Sequence, residues 1–419
     1  MVKWGMQRLL GDISRSLAAP SRTPRTAVVL GRLLAIAFLL CFITGIYSHY
    51  LQNPLPWMRF PTRPTTLYQI NQGIHITAGI LCLPLLLGKL YSVLPGLFQT
   101  PPVRSLPHLL ERASIALFVA SSLVQIAIGM LNTFQWYALF PFPFRQTHYA
   151  LSYVIIGSLA IHIAIKLPII QRYWRKGSDQ AEQTHSTADA TAAQAAHSAN
   201  TAAVTAAASD VAPRPAARGV TGKVFAWIDA TPNAAPRASR RAFFGTLGIA
   251  SVALMVTTAG QSFRLFDGTN IFAPRKMGIG PNGLPVNRTA SAAKVLESAV
   301  DPNWTLTVTN GDNVRIFSRA VLAAMPQYRV DLPIACVEGW SQMATWEGPR
   351  LRDLVEAVGG NPSNSLRAQS LEQNSSYAVM EMGPEYVQDD LAVVALRLGG
   401  EPLDIDHGYP ARMIAPGRP

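Results

Sequence analysis

The sequence predicts a multi-domain chain: an all-α transmembrane four-helix bundle, a fifth membrane helix, and then an α+β water-soluble domain. Three observations carry that prediction. Residues 27–170 hold four apolar runs of roughly 20 residues, the length that spans a hydrocarbon core. Residues 264–419 instead show short alternating segments separated by turn residues. Charge divides the same way, because residues 264–419 hold only 14 of the 36 basic residues but 17 of the 24 acidic ones. A basic excess confined to the flanks of apolar runs is topology information, so a nucleic-acid partner is excluded.

In chain order, residues 1–26 form a basic N-terminus and 27–176 the bundle, with spans at Ala27–Tyr47, Gly73–Leu94, Ala113–Phe134 and Tyr149–Ile170. Arg8, Arg15, Arg22 and Arg25 precede the first span. Lys89, Arg104 and Arg112 separate the second from the third, and Lys166, Arg172, Arg175 and Lys176 close the fourth. The other two connections are rich in Trp and Tyr instead. The positive-inside rule then predicts a cell-membrane protein crossing the bilayer several times, with its N-terminus cytoplasmic. Residues 177–239 are an Ala/Thr/Ser and Pro-rich linker with too few large apolar residues to bury a core. Residues 240–263 hold a fifth span, led by Ser239-Arg240-Arg241-Ala242-Phe243-Phe244, which resembles a twin-arginine export signal. That span carries residues 264–419 to the extracytoplasmic side.

Five of the eight histidines lie in or beside the first four spans: His49, His75, His108, His148 and His162. Ionisable groups in a bilayer are costly and mark function. Haem b takes two neutral imidazoles on opposite faces of the porphyrin. His75 and His148 enter their helices from the same side at similar depth and form the first pair. His162 lies fourteen residues beyond His148, about 21 Å deeper and roughly on the same helical face. That spacing resembles the di-haem cytochrome b subunits of membrane dehydrogenases. In such subunits the deeper haem takes a second ligand from the cytoplasmic half of another helix, and the first span lacks one there. His162 and His49 are therefore candidates for a second haem only.

Of three cysteines, Cys41 and Cys82 lie in apolar runs, and Cys336 stands alone in the soluble domain, so neither a disulfide framework nor a CxxC zinc site is available. A lone cysteine after the apolar run Leu332 to Ala335 reads by itself as core filler. Its surroundings change that reading. Cys336-Val337-Glu338-Gly339-Trp340-Ser341 followed by Trp346-Glu347-Gly348 and Leu351 resembles the sulfite-oxidase family of molybdopterin enzymes, especially its bacterial periplasmic branch, which includes the methionine-sulfoxide reductase subunit. The resemblance implies that the Cys336 thiolate ligates molybdenum, with Trp340, Ser341 and Trp346 bordering the metal. It implies cofactor contacts from Asn287 and Arg288 in Leu284-Pro285-Val286-Asn287-Arg288, and from His407 and Arg412 in Asp406-His407-Gly408-Tyr409-Pro410-Ala411-Arg412. It also implies a further strand with a basic residue near the cofactor, whereas this sequence ends at Pro416-Gly417-Arg418-Pro419.

Within the soluble domain, Trp304 to Phe317 reads as two strands across an Asn310-Gly311 turn. Leu351 to Val358 reads as helix, and Tyr377 to Met382 and Leu391 to Leu398 as extended segments. The expected function is oxygen-atom transfer between molybdopterin-held molybdenum and a small oxo donor or acceptor, with electrons relayed through haem b to quinone or another membrane carrier. The rival expectation is a haem-containing membrane electron shuttle with a metal-free, non-catalytic soluble domain.

Overall fold

The computed structural model describes residues 19–97, 103–139, 142–174, 239–373, 375 and 378–418. Most of the expected linker at 177–239 lies outside the described residues. Helices α1 (Pro24–Gln52), α2 (Leu67–Leu97), α3 (Leu106–Thr133), α4 (Phe144–Arg172) and α5 (Arg240–Val256) occupy the five apolar runs. All five are long and apolar enough to cross a membrane. Helices α1 to α4 extend three or more residues beyond the apolar run at most of their ends, because polar residues at a membrane boundary keep their backbone hydrogen bonds inside the helix. Pro24 opens α1, where its missing N–H costs nothing, and the Thr23 hydroxyl accepts the Thr26 N–H at 3.1 Å. Exposed Leu33, Ile43, Leu117 and Ile161 suit contact with lipid.

The chain packs as two units. The first joins the described residues within 1–35, 85–119 and 157–249. In it Lys89 donates from Nζ to the Ala27 carbonyl at 2.5 Å, and Tyr91 stacks on Phe243 with ring centroids 5.0 Å apart. The second joins residues 36–84, 120–156 and 250–419, so it combines segments of α1 to α4 with the α+β part of the chain.

The α+β part is built from antiparallel pairs. Strands β1 (Thr305–Asn310) and β2 (Asn313–Ser318) form the hairpin that Asn310-Gly311 predicts. Strands β3 (Tyr328–Ala335) and β4 (Ser341–Gly348) pair in full register from Tyr328↔Gly348 to Ala335↔Ser341. Strands β5 (Leu366–Gln369) and β6 (Val379–Met382) pair with each other. Strand β7 (Val393–Ala395) pairs with β10 (Arg412–Ile414), while β8 (Arg397–Leu398) and β9 (Glu401–Pro402) extend the β3–β4 sheet. The expected helix after Leu351 spans Leu351–Glu356.

One core runs from this domain into the helices of the same unit. Leu51 of α1 and Tyr68 of α2 are buried in a cluster with Phe317, Leu322, Leu354, Met382, Tyr386 and Val394. Polar clamps surround it. Arg63, in the α1–α2 connection, makes a bidentate pair with Asp389 at 2.8 and 3.0 Å. Arg418 donates to the Leu51 carbonyl at 3.0 Å. Burial alone would raise the Asp389 pKa, but hydrogen bonds from Arg63, from the Leu391 N–H and from Thr62 outweigh it and hold the carboxyl below its usual value. A depressed folded-state pKa stabilises the fold above the ordinary aspartate range, about 3.9, and that contribution is lost as pH falls through the lower folded value. Asp389→Asn should therefore lower the thermal midpoint in detergent at pH 7, and the deficit should shrink as the pH drops below about 4.

Candidate active site

The β3–β4 register sets the first element of the site. It leaves five residues, Cys336 to Trp340, to connect the strands, and they close through Cys336 N–H to the Trp340 carbonyl at 2.8 Å and Gly339 N–H to the Cys336 carbonyl at 3.0 Å. Gly339 sits at φ +100°, a conformation open to glycine at little cost. A Cβ there would lie 2.5 Å from Cγ1 of Ile76 in α2, so the loop rests directly on that helix. The Ser262 hydroxyl donates to the Gly339 carbonyl and fixes the loop from a second direction.

Cys336 is half-buried, and the Glu338 N–H points at its sulfur at 3.4 Å. Burial, and then the Glu338 carboxylate, push the thiol up to about 12, while the Glu338 N–H, Arg275 and Arg412 act in the opposite sense. The sulfur alone is a protonated thiol at neutral pH. A soft metal cation would reverse that balance by taking the proton's place. Beside it, Trp340 and Ser341 are buried, and Trp340 Nε1 and Ser341 Oγ find no hydrogen-bond partner among the described residues. Trp346 is fully buried and donates from Nε1 to the Leu332 carbonyl at 3.2 Å.

The late motif folds toward the same place. Arg412 stands 5.7 Å above the Trp346 ring and donates to the His407 carbonyl at 3.3 Å. His407 is buried, and its Nε2 lies 3.2 Å from the Leu284 carbonyl, which identifies that nitrogen as the donor. Burial lowers the His407 pKa and favours the neutral ring. Asp406 accepts the Ala290 N–H at 2.7 Å, tying the residue 284–290 stretch to the 404–412 stretch. Arg288 has another engagement: its guanidinium pairs with Glu372 at 2.5 Å and bonds the Ala292 carbonyl. It lines a cavity of about 430 Å³ whose walls do not include Cys336.

Three residues here escape sequence reasoning. Gln135, just beyond α3 and at φ +57°, donates from Nε2 to both carboxylate oxygens of Glu338 at 3.0 and 2.8 Å and to the Asn287 carbonyl at 2.7 Å. Its Oε1 accepts from Arg275 at 2.6 Å. Glu338 is buried, so Gln135 and Arg275 compensate a carboxylate two residues from Cys336. Arg275 also lines an open cavity of about 440 Å³ with Pro274, Lys276, Ile279, Pro285 and Val286.

In the helices of the same unit, the His75 and His148 rings lie with centroids 6.2 Å apart. His75 Nδ1 is 3.0 Å from the Cys41 carbonyl and from Thr44 Oγ1, so its Nε2 is left free for a metal. His148 Nδ1 is buried without a hydrogen-bond partner among the described residues. Gly45 and Gly129 adjoin the two rings, where a Cβ would come within 3.1 Å of His75 and 3.5 Å of His148. His49 instead stacks on Tyr149 at 3.8 Å. His162 belongs to the first unit, where it stacks on Phe118 at 6.0 Å.

Removing the amide that compensates Glu338 should be felt in stability. Gln135→Ala is expected to cost about 1–3 kcal/mol, the usual penalty for stranding a buried polar group. Adding Glu338→Gln should recover part of it, because the charge itself is gone. Thermal unfolding of the single and double variants reads both effects.

Comparison with known proteins bears on residues in and around this loop. Residues 293–419 match the family model described as "Oxidoreductase molybdopterin binding domain". Over 114 residues the chain is 25% identical to the protein named "Uncharacterized oxidoreductase YuiH" of Bacillus subtilis (strain 168). That match covers 25% of this chain and 52% of the relative, so the chain spans about half the relative's length. The C-terminal α+β part thus carries the sequence pattern of a molybdopterin-binding oxidoreductase domain of the sulfite-oxidase type, following a series of long apolar helices.

Proposed function

We propose that this chain is a membrane-bound, molybdopterin-dependent oxidoreductase that transfers an oxygen atom to or from a small substrate and exchanges electrons with a membrane carrier through haem b held by His75 and His148. The observation that carries the reading is the seat of the Cys336–Trp340 loop on α2, where Gly339 abuts Ile76, the residue next to His75. A metal-ligating loop and an electron-accepting helix would then meet within one polypeptide.

The residues fit the groups that the reading requires. The His75 and His148 rings lie 6.2 Å apart between centroids and His75 Nε2 is uncommitted, so these two imidazoles would hold the haem iron. At the other site, a soft sulfur stands beside two buried donors without partners, Trp340 Nε1 and Ser341 Oγ. The planar donors of Arg412 suit a phosphate, and the neutral His407 suits a pterin edge. Molybdopterin, when bound, supplies the two-electron oxo-transfer chemistry.

The protein's own contribution is binding, orientation and proton handling. Cys336 holds the metal, and the β3–β4 register keeps its sulfur in place. Arg275 and Lys276 give the cavity of about 440 Å³ beside the residue 284–288 stretch a cationic wall, which suits polar or anionic groups. Glu338, buried and hydrogen-bonded by Gln135, offers a carboxylate two residues from Cys336 that can hold one proton. Arg288, drawn to Glu372, is assigned a structural role in holding the residue 288–292 turn. The distribution of Lys and Arg supports a cytoplasmic N-terminus and an extracytoplasmic α+β domain. Arg240-Arg241 at the start of α5 supports export of a prefolded, cofactor-loaded domain.

Metal analysis and a reduced-minus-oxidised spectrum of the purified protein test the reading. Wild type should contain molybdenum and a b-type band. Cys336→Ser should lose molybdenum and oxo-transfer activity while keeping the band, and His75→Ala or His148→Ala should do the reverse. Iron without molybdenum in wild type would favour the electron shuttle with a non-catalytic domain. Full activity in Cys336→Ser would end the enzyme assignment.

A further inference from the structure

The first unit carries a second group of titratable residues that neither metal site uses. Lys166 of α4 and Glu111 of α3 form an ion pair. The His162 ring, one helical turn before Lys166, feels the charges of Lys166, Glu111 and Lys89 of α2. His108 also acts on Glu111. Phe118, buried, stacks on His162. Among the described residues no hydrogen bond occupies either nitrogen of His162. Concentrating five such groups in helices built to contact lipid is expensive unless they serve a ligand or a proton.

The cluster is also open. The Glu111 and Lys166 side chains remain 24% and 32% accessible, and their outward neighbours Leu110, Leu117, Ile161 and Ile165 are exposed apolar residues. A ligand reaching it therefore arrives through lipid. It needs an apolar body, a flat ring to lie against Phe118, and oxygens that accept from Lys166 and exchange protons with His162 and Glu111. These requirements describe a quinone headgroup on a long apolar tail.

We infer that His162, Glu111 and Lys166, with Phe118 behind them, form a binding site for a membrane quinone, which deepens the electron-relay reading above and rests on it for the source or sink of electrons. In quinol oxidation the two O–H bonds break and both ring oxygens become carbonyls. The protons pass to His162 and to the Glu111 carboxylate, and two electrons leave singly to the proposed haem. Quinone reduction is the reverse, with the same groups giving the protons. His162 then serves as a proton group, and a second haem is not required.

The test uses the full-length protein in detergent and the short-tailed probes decylubiquinol and decylubiquinone. Decylubiquinol should reduce the b-type band in wild type. His162→Ala and Glu111→Gln should slow that reduction at least tenfold with haem content unchanged, and His162→Gln, which keeps a hydrogen-bonding side chain, should recover part of the rate. Calorimetric titration with decylubiquinone should give saturable binding in wild type and at least tenfold weaker binding in His162→Ala. Wild-type rates and affinities in the variants overturn the site. Loss of haem in His162→Ala overturns it too, by making His162 an iron ligand. If wild type lacks haem, the relay reading fails alone, and the binding titration still decides for or against the quinone site.

Discussion

The close approach of the Cys336–Trp340 loop to α2 is the constraint on which the site's arrangement depends. The β3–β4 register fixes how many residues span the hairpin end, and the left-handed Gly339 lets that short connection lie flat on Ile76. Any side chain at 339 would both strain the backbone and collide with the helix. The loop therefore cannot withdraw without breaking the hairpin register or the Ser262 hydrogen bond. The Cys336–Trp340 loop is thus held against the segment of α2 around Ile76, next to His75, by close packing and by the Ser262 hydrogen bond.

That proximity has an electrostatic consequence. The loop brings Glu338 into the interior, where an uncompensated carboxylate would be several kcal/mol unfavourable. The remedy comes from Gln135 at the end of α3. Its left-handed backbone costs about 1–2 kcal/mol for a residue with a side chain, and its amide offsets this by donating to the buried carboxylate while accepting from Arg275. The same amide bonds the Asn287 carbonyl, so the early and central motifs are held by a residue from the helical part of the chain. Arg63 on Asp389 and Arg418 on Leu51 repeat the pattern, with cations joining the helix ends to the α+β part.

The parts of this arrangement legible in the sequence are those with a local signal. Long apolar runs gave all five helices, since backbone groups in lipid have no alternative to helical pairing. Asn310-Gly311 gave the first hairpin, and the residues around Cys336 gave its resemblance to molybdopterin enzymes. Strands β3 and β4 passed unread because Leu332 to Ala335 is a short unbroken apolar run, without the alternation that marks a half-buried strand. Gln135, Glu338 and Arg275 were missed for a different reason. Their roles rest on contacts spanning 140 and more residues, which no local pattern encodes. Arg288 shows the converse, a motif residue whose guanidinium is claimed by Glu372, far away in sequence.

Histidine placement follows the same physics and separates five chemically identical side chains. His49, half-buried, stacks on Tyr149 with ring centroids 3.8 Å apart and packs edge-on against Tyr50. His108 sits at the first turn of α3 and accepts a backbone N–H through Nδ1. His75 and His148 differ from both, because their rings lie 6.2 Å apart between centroids and a Cβ at Gly45 would press on the His75 ring. His75 commits Nδ1 to the Cys41 carbonyl, which fixes its tautomer and leaves the lone pair on Nε2 uncommitted. Among the described residues His162 has no hydrogen bond at either nitrogen, and its ring neighbour is Phe118 instead of a facing imidazole. Sequence position alone ranked these residues by depth. Their roles are separated by what each ring nitrogen already holds.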